Sequence, residues 1–204
     1  MARPHRPILS RELIAAAALE LVDRDGRFTV PELAHKLGVS VSSLYHHVDG
    51  RADIVEGIRG LLTRPLAAAE PAADWQEAVR RWATAYRDGF AAHPAAIPML
   101  VGQTVGNPDT LAQYDRLAAI LEDQAGLSGD DLLVAITMLD TLCLGAALDL
   151  AAPAEVWTAD GRDTALTRAL AGAPDPERDR SRRSFERQLE LIIGSLARQV
   201  GPRP

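Results

Sequence analysis

The stretch FTVPELAHKLGVSVSSLYHHV, residues 28–48, constrains this chain more than any other. Thr29 and Glu32 stand three apart, the spacing of a capping box, in which the hydroxyl takes an early amide and the carboxylate reaches back to the cap. Pro31 falls in the first turn, where amides have no helical acceptor to lose. Gly38 then stops the helix, because glycine tolerates the left-handed conformation that closes one. Val39 fills the corner, and Ser40 caps a third helix three residues after the second ends. Two short helices joined by so tight a glycine-containing turn are the signature of a helix-turn-helix. Leu33, Ala34 and Leu37 form the inner face of the first. Leu44 and Val48 form that of the second, which leaves Ser42, Ser43, Tyr45 and His46 largely outward.

Helical periodicity continues on both sides. A first helix runs from a Ser10 cap to about residue 24, with Ile14, Ala17, Ala18, Leu21 and Val22 as an apolar stripe and Asp25-Gly26 as its stop. A fourth begins at Asp49 or Gly50 and carries Ile54, Val55, Ile58, Leu61 and Leu62 on one side. Pro65 and AAAEPAAD (67–74) read as a connection. Residues 75–92 place Trp75, Val79, Trp82, Tyr86 and Phe90 on one face. Three prolines forbid a single regular helix over 93–109. Residues 110–125 and 130–151 are helical again, and the latter is apolar almost all round, which predicts burial on both sides. Residues 152–180, rich in Pro, Asp, Arg and Ala, read as mobile with at most a short helix near 162–171. A last helix over 182–200 repeats Phe185, Leu189, Ile192 and Leu196, with Leu191 and Ile193 beside them. There is no internal repeat and no convincing strand, so the fold class is all-α: a three-helix helix-turn-helix region followed by a larger helical part.

Composition narrows the function. Apolar residues make up 47% of the 204, rich in Ala and Leu, while aromatics are only 4%; this is a helix-forming core. The single cysteine, Cys143, excludes an internal disulfide and a cysteine-based zinc site. No unbroken apolar run approaches a membrane span, and MARPHRP has no apolar segment behind its charges, so the expectation is a cytoplasmic protein without a membrane partner. The net charge of −6 is uneven: residues 1–60 balance eight Lys/Arg against eight Asp/Glu, and the rest of the chain holds the whole excess. The N-terminal part is therefore free to approach phosphates.

IAAAALELVDRDG (14–26), the stretch already quoted, and GRADIVEGI (50–58) together resemble the DNA-binding region of the TetR family of bacterial repressors. The ordered core is LA-x-x-LGVS followed by LY-x-H. ADWQEAVRRWATAYRDGFAAHP (73–94) and FERQLELIIGSLARQ (185–199) are similar, at lower density, to the regulatory domain of its tetracycline-repressor subgroup. The resemblance implies a DNA-binding domain over 1–62, a ligand-binding and dimerisation domain over 63–204, and a homodimer formed through helices 130–151 and 182–200.

It also implies sites. Positions matching Val41, Ser42, Ser43, Tyr45 and His47 lie on or beside the recognition helix in that family, and Thr29 and Arg51 flank it; Ser40 and His46 complete the expected DNA-contacting set. The physics agrees, since a helix fits the major groove and its N-terminal side chains reach base edges. Val41 suits a thymine methyl, whereas Tyr45, His47 and Arg51 suit phosphates. Adjacent His46 and His47 lie ~100° apart on a helix and cannot share one ion unaided, and HHVDG lacks two residues of the HHxxxDG motif of acyl-transferring enzymes. No metal or cofactor is expected.

The aromatic stripe suits a core as well as a pocket, but the resemblance places Trp82 and Tyr86 at ligand-cavity positions. Leu100, Gln103, Ile120, Thr141 and Asp149 match further ones, with Thr104 as a polar neighbour. The tetracycline-binding members hold a magnesium–drug chelate through a histidine where this chain has Leu100, a threonine where it has Gln103 and a second histidine where it has Thr141. A small, largely apolar or aromatic effector fits these residues better. The expected function is a ligand-responsive repressor of a palindromic operator on double-stranded DNA, with the connection around 61–74 as the lever. Its competitors are a constitutive DNA-binding dimer and a small helical enzyme; five histidines, four of them by residue 47, offer no nucleophile–base arrangement for the latter.

Overall fold

The computed structural model describes residues 9–68, 72–153, 155–158, 161–172 and 176–199. Among these the chain forms α1 (Arg11–Asp25), α2 (Val30–Leu37), α3 (Val41–Tyr45), α4 (Arg51–Thr63), α5 (Trp75–Ala91), α6 (Ile97–Val101), α7 (Pro108–Asp123), α8 (Gly129–Leu150), α9 (Ala165–Ala171) and α10 (Pro176–Gln199), with no strand among the described residues. Short 3-10 turns follow α4 at Arg64–Ala68 and precede α6 at Pro94–Ala96. The readings of MARPHRP, of part of the 67–74 connection and of parts of 152–180 lie outside the described residues.

Packing divides the chain into two compact units: residues 1–70 with 92–116, and residues 71–91 with 117–204. This is a division by contact, and it places 92–116 with the first helices rather than beyond a boundary at 62. In the first unit, local signals set the elements. Ser10 Oγ accepts the Leu13 amide at 3.1 Å, and Gly26, at φ 71°, closes α1. Both halves of the capping box form: the Glu32 amide donates to Thr29 Oγ1 at 3.3 Å and the Thr29 amide to the Glu32 carboxylate at 2.9 Å. Gly38 adopts φ 66°, a conformation that costs a side chain-bearing residue more, and ends α2. Ile14, Phe28, Leu33, Leu44, Val48, Ile54 and Ile58 are buried together as the core. Leu37 and Val39 are only half-buried, so the corner is packed less tightly than expected. Prolines 94, 98 and 108 each stand in the first turn of an element, which is why 93–109 breaks into pieces.

In the second unit, α5 buries its predicted stripe of Trp75, Val79, Trp82, Tyr86 and Phe90. It packs on α8 and α10, which pack on each other. Arg80 grips Glu190 through two hydrogen bonds of 2.6 and 3.1 Å, and the Arg87 guanidinium sits 4.3 Å over the Phe185 ring. The Cys143 thiol donates to the Ala83 carbonyl, and burial pushes its pKa far up, so it is held as a protonated thiol.

Three expectations need correction here. Helix α10 begins at Pro176, six residues before the expected 182, and its buried stripe runs Phe185, Leu189, Ile193, Leu196; Ile192 lies beside it and Leu191 is 57% exposed. The spacing of four from Leu189 to Ile193 keeps the stripe over one face, whereas Ile192 starts the neighbouring one. Helix α8 is not buried on both sides: Ala135, Leu139, Cys143 and Ala147 are inside, while Leu133, Val134, Met138, Leu148 and Leu150 are exposed. Nor does the absence of an unbroken run hold as a membrane criterion. Over its 22 residues α8 is long and apolar enough to cross a membrane by length and composition, with 28% of its most apolar window buried. The same composition fits a helix with one face in a core and the other awaiting a partner.

Candidate DNA interface and effector residues

Helix α3 is five residues long and fixed from both ends. At its start Ser40 Oγ accepts the Ser43 amide at 3.1 Å and lies 2.8 Å from Ser43 Oγ. At its end Leu44 and Val48 anchor it in the core. Val41, Ser42, Tyr45 and His46 are exposed, Tyr45 by 51%, and His47 is half-buried. The predicted set is thus brought to one short surface, with two refinements. Ser43 is half-buried and committed to the Ser40 cap, and Thr29 Oγ1 donates to Glu32 at 2.8 Å, so both hydroxyls already have partners. Arg51 lies against the surface with its guanidinium 5.0 Å over the Phe28 ring and one nitrogen 3.5 Å from Met99 Sδ. Stacking fixes the direction of that long side chain. Among the described residues no three His, Cys, Asp or Glu side chains are grouped to hold a metal.

Helix α4 follows α3 after five residues and carries what the sequence reading missed. Glu56 and Arg59, one turn apart, form an ion pair at 2.8 Å with side-chain exposures of 15% and 6%. Arg59 Nη2 donates to the carbonyls of Leu100 at 2.6 Å and Gln103 at 3.3 Å. The second Glu56 oxygen accepts the amides of Gly106 at 2.6 Å and Asn107 at 2.8 Å. Burial pushes the Glu56 carboxyl up, but the Gly106 amide, the Arg59 guanidinium and the Asn107 amide outweigh it and hold it below its ordinary value. Two further contacts extend this seam. Asn107, which caps α7 by accepting the Thr110 amide at 3.0 Å, packs so closely on Gly60 that a Cβ there would stand 3.0 Å from its side chain. Thr63 and Thr110 hydroxyls meet at 3.1 Å in the interior. The available signals were Glu-x-x-Arg on a helix face and Asn-Pro before another.

The expected effector residues fall into separate settings. Leu100 is fully buried and Gln103 half-buried, their carbonyls both on Arg59, with Thr104 exposed beyond them. In the second unit Trp82 stacks on Tyr86 at 4.9 Å and Tyr86 on Phe90 at 4.7 Å, and the Tyr86 hydroxyl donates to Asp140 at 2.7 Å. Asp140, a carboxylate on an otherwise apolar helix, was not predicted. Ile120 is half-buried. Thr141 and Asp149 lie elsewhere on α8: they line a cavity of about 790 Å³ with Leu133, Met138, Phe185 and Ile192, along the outer face of α8 and α10. Asp149 is paired there with Arg180 at 2.6 Å. Trp82 and Tyr86 are brought together, as are the carbonyls of Leu100 and Gln103; Thr141 and Asp149 are brought to the groove instead.

This architecture defines a class: an all-helical protein with an outward-facing helix-turn-helix and a larger helical part bearing an apolar outer face. Residues 67–200 match the family described as "Tetracyclin repressor-like, C-terminal domain". An HTH-type transcriptional regulator of Saccharopolyspora erythraea is 24% identical over 96% of this chain and 88% of that protein. The tetracycline repressor protein class D of Escherichia coli is 31% identical over 69% of this chain and 66% of that protein. The crystal structure of the Streptomyces coelicolor TetR family protein ActR in complex with actinorhodin shares the fold, with a TM-score of 0.76 over 95% of this chain and 99% of that one at 22% identity. The chain belongs to the TetR family of transcriptional regulators, which are not enzymes.

Proposed function

We propose that this chain is a ligand-responsive repressor that binds a palindromic operator as a homodimer and is released by a small molecule in the cytoplasm. The observation that carries the reading is α3 itself: five residues, capped and anchored by what faces inward, with Val41, Ser42, Tyr45 and His46 left outside. Val41 and Ser42, at the N-terminal end, are placed to read base edges, with Ser40 and Ser43 shaping that end. Tyr45, His46, His47, Arg51 and Thr29 set the register on phosphates. Residues 1–62 serve as the DNA-binding domain and 63–204 as the effector and dimerisation domain.

The dimer forms through α8 and α10. Leu133, Val134, Met138, Leu148 and Leu191 are exposed along these two helices, and a contiguous apolar face of this kind on a lone chain marks an interaction surface. The twofold axis then sets two reading helices ~34 Å apart, one turn of duplex. The effector contacts are drawn from Trp82, Tyr86, Leu100, Gln103, Thr104, Ile120, Thr141 and Asp149. One relative is named a tetracycline repressor, and one protein of the same fold is described in complex with actinorhodin. Without an imidazole at Leu100 or Thr141, an apolar aromatic ligand suits this chain better than a metal chelate.

Selection of bound duplexes from random-sequence DNA tests the reading. The expected result is an inverted repeat whose half-sites are one turn apart; recovery of no common sequence would refute it. A thermal-shift comparison of actinorhodin with magnesium–tetracycline then tests the effector class, and stabilisation by the chelate alone would overturn the apolar assignment.

A further inference from the structure

A cavity of about 630 Å³ lies within the first unit, walled by α1, α4 and residues 107–116 at the start of α7. That volume is in the range of small-molecule sites, and none of the residues assigned to the effector lines it. Backbone contact sets its walls. A Cβ on Gly57 would stand 3.0 Å from Ala15 Cβ, just as one on Gly60 would meet Asn107. The charges of the lining balance: Arg11, Arg64 and Arg116 stand against Glu12, Asp53 and Asp109. Arg11 is engaged with Asp53 at 3.0 Å and Arg64 with Glu12 at 2.9 Å. The third acid and the third cation are arranged differently. Asp109, Gln113 and Arg116 fall at i, i+4 and i+7, so one face of α7 presents an acid, an amide and a cation in order. The Asp109 carboxylate is exposed and makes no hydrogen bond or ion pair among the described residues. Gln113 is only 6% exposed, yet its amide is held loosely. Its Nε2 donates back into its own helix, to the Asp109 carbonyl at 3.3 Å, and its Oε1 accepts from Arg116 at 3.4 Å. A primary amide offers two donors and two acceptor sites. Half the capacity of this buried group is therefore unused among the described residues, a costly condition unless something completes it.

We propose that this cavity binds a zwitterionic dipeptide, with its ammonium at Asp109, its peptide group at Gln113 and its carboxylate at Arg116. Seven residues of helix separate the acid from the cation by about 10 Å along the axis. A dipeptide extends over about 7 Å, and the long arginine stem covers the remainder; a free amino acid is too short. The ligand's peptide group is donor and acceptor at once, which matches the unused half of the Gln113 amide. A lone anion meets three carboxylates here and a lone cation three guanidiniums, so the balanced lining selects against both. Site and ligand are independent of the DNA-reading and effector assignments above.

The test titrates L-alanyl-L-alanine into the full-length protein and follows the heat of binding and the side-chain amide resonances of Gln113. The dipeptide should move those resonances saturably. Acetylating its amine or amidating its carboxylate should weaken binding roughly tenfold, the loss of one charge-assisted hydrogen bond. Free L-alanine should bind no better than the blocked peptides. Asp109→Asn should weaken the dipeptide roughly tenfold and leave the N-acetyl peptide unchanged. Arg116→Gln should weaken the dipeptide likewise and leave the C-terminal amide unchanged. Such couplings arise from direct contact and not from a general loosening of the fold. Both side chains are exposed, so these two variants keep the test sound even if Gln113→Leu, which should also weaken binding, disturbs the interior. Motionless Gln113 resonances would overturn the proposal. So would free alanine or the blocked peptides binding as tightly as the dipeptide, or an affinity that none of the three substitutions changes.

Discussion

The helix-turn-helix and the α8–α10 face are opposite cases of an exposed surface. Around α3 every exposed side chain is polar or isolated, and the starts of α1, α2 and α3 and the end of α2 are closed by local signals: Ser10, Thr29 with Glu32, Ser40 and Gly38. Along α8 and α10 the exposed large apolar side chains include Leu133, Val134, Met138, Leu148 and Leu191, and nothing among the described residues covers them. The first surface is finished, and in the proposed function it meets a polar, charged duplex. The second is an unfinished core. The lesson is that exposure of the same extent means different things according to what surrounds it: caps and ion pairs mark a surface shaped for water and phosphate, and an apolar stripe marks one shaped for protein.

This comparison can be broken from either side. The largest expected effect is inside the finished region: Leu44→Ala, which empties a fully buried site, should cost ~2–5 kcal/mol of folding stability in chemical denaturation. On the unfinished face, Met138→Glu combined with Ile192→Glu should raise the dimer dissociation constant by roughly a hundredfold, about 2.7 kcal/mol, measured by sedimentation. The variant should keep its helical signal, because Met138 is exposed and Ile192 only half-buried in one chain. A dimer untouched by both charges would assign that face elsewhere. Arg51→Ala should weaken DNA binding alike across sequences and reduce the salt slope by roughly one, the mark of a phosphate contact. A change of sequence preference instead would make it a base reader. Thr29→Ala should cost ~1 kcal/mol through the lost cap, and Val41→Ser should leave stability unchanged while altering only the preferred duplex.

Glu56 adds a pH dependence. Its carboxyl is held below its ordinary value in the folded chain, so the unfolded chain binds its proton first as pH falls. The stabilisation is therefore complete above the unfolded carboxylate value of ~4.3 and disappears as pH drops through the lowered folded value. The stability gap between wild type and Glu56→Gln should be constant near neutrality and narrow below about pH 4, in urea titrations across that range.

Much of the first unit was legible because its signals are local. Thr29-x-x-Glu32, Gly38 and Ser40 each act within four residues, and the structure forms each of them. The stripe on α5 was legible for the same reason, since five large side chains repeat at helical spacing. What could not be read depends on pairing across distance. Ile192 and Ile193 are equally apolar, and only packing against α5 and α8 decides which turns inward. The bracket at Glu56 and Arg59 joins residues more than forty positions apart, and a Glu-x-x-Arg pair on a helix ordinarily reads as a solvated face. The family resemblance groups Thr141 and Asp149 with Trp82 and Tyr86, whereas the turn of α8 sets them on the groove face. Asp140, one residue before Thr141, turns to the Tyr86 hydroxyl.

The central claim is that two copies, joined through the unfinished face, present two finished ones to a single duplex. The most direct measurement is the affinity of the full-length protein for its selected duplex as the spacing between half-sites is varied. Insertion of about five base pairs places the second half-site on the opposite side of the helix and should reduce binding to that of one half-site, while about ten should restore much of it. Equal affinity at every spacing, or for an isolated half-site, would contradict the account.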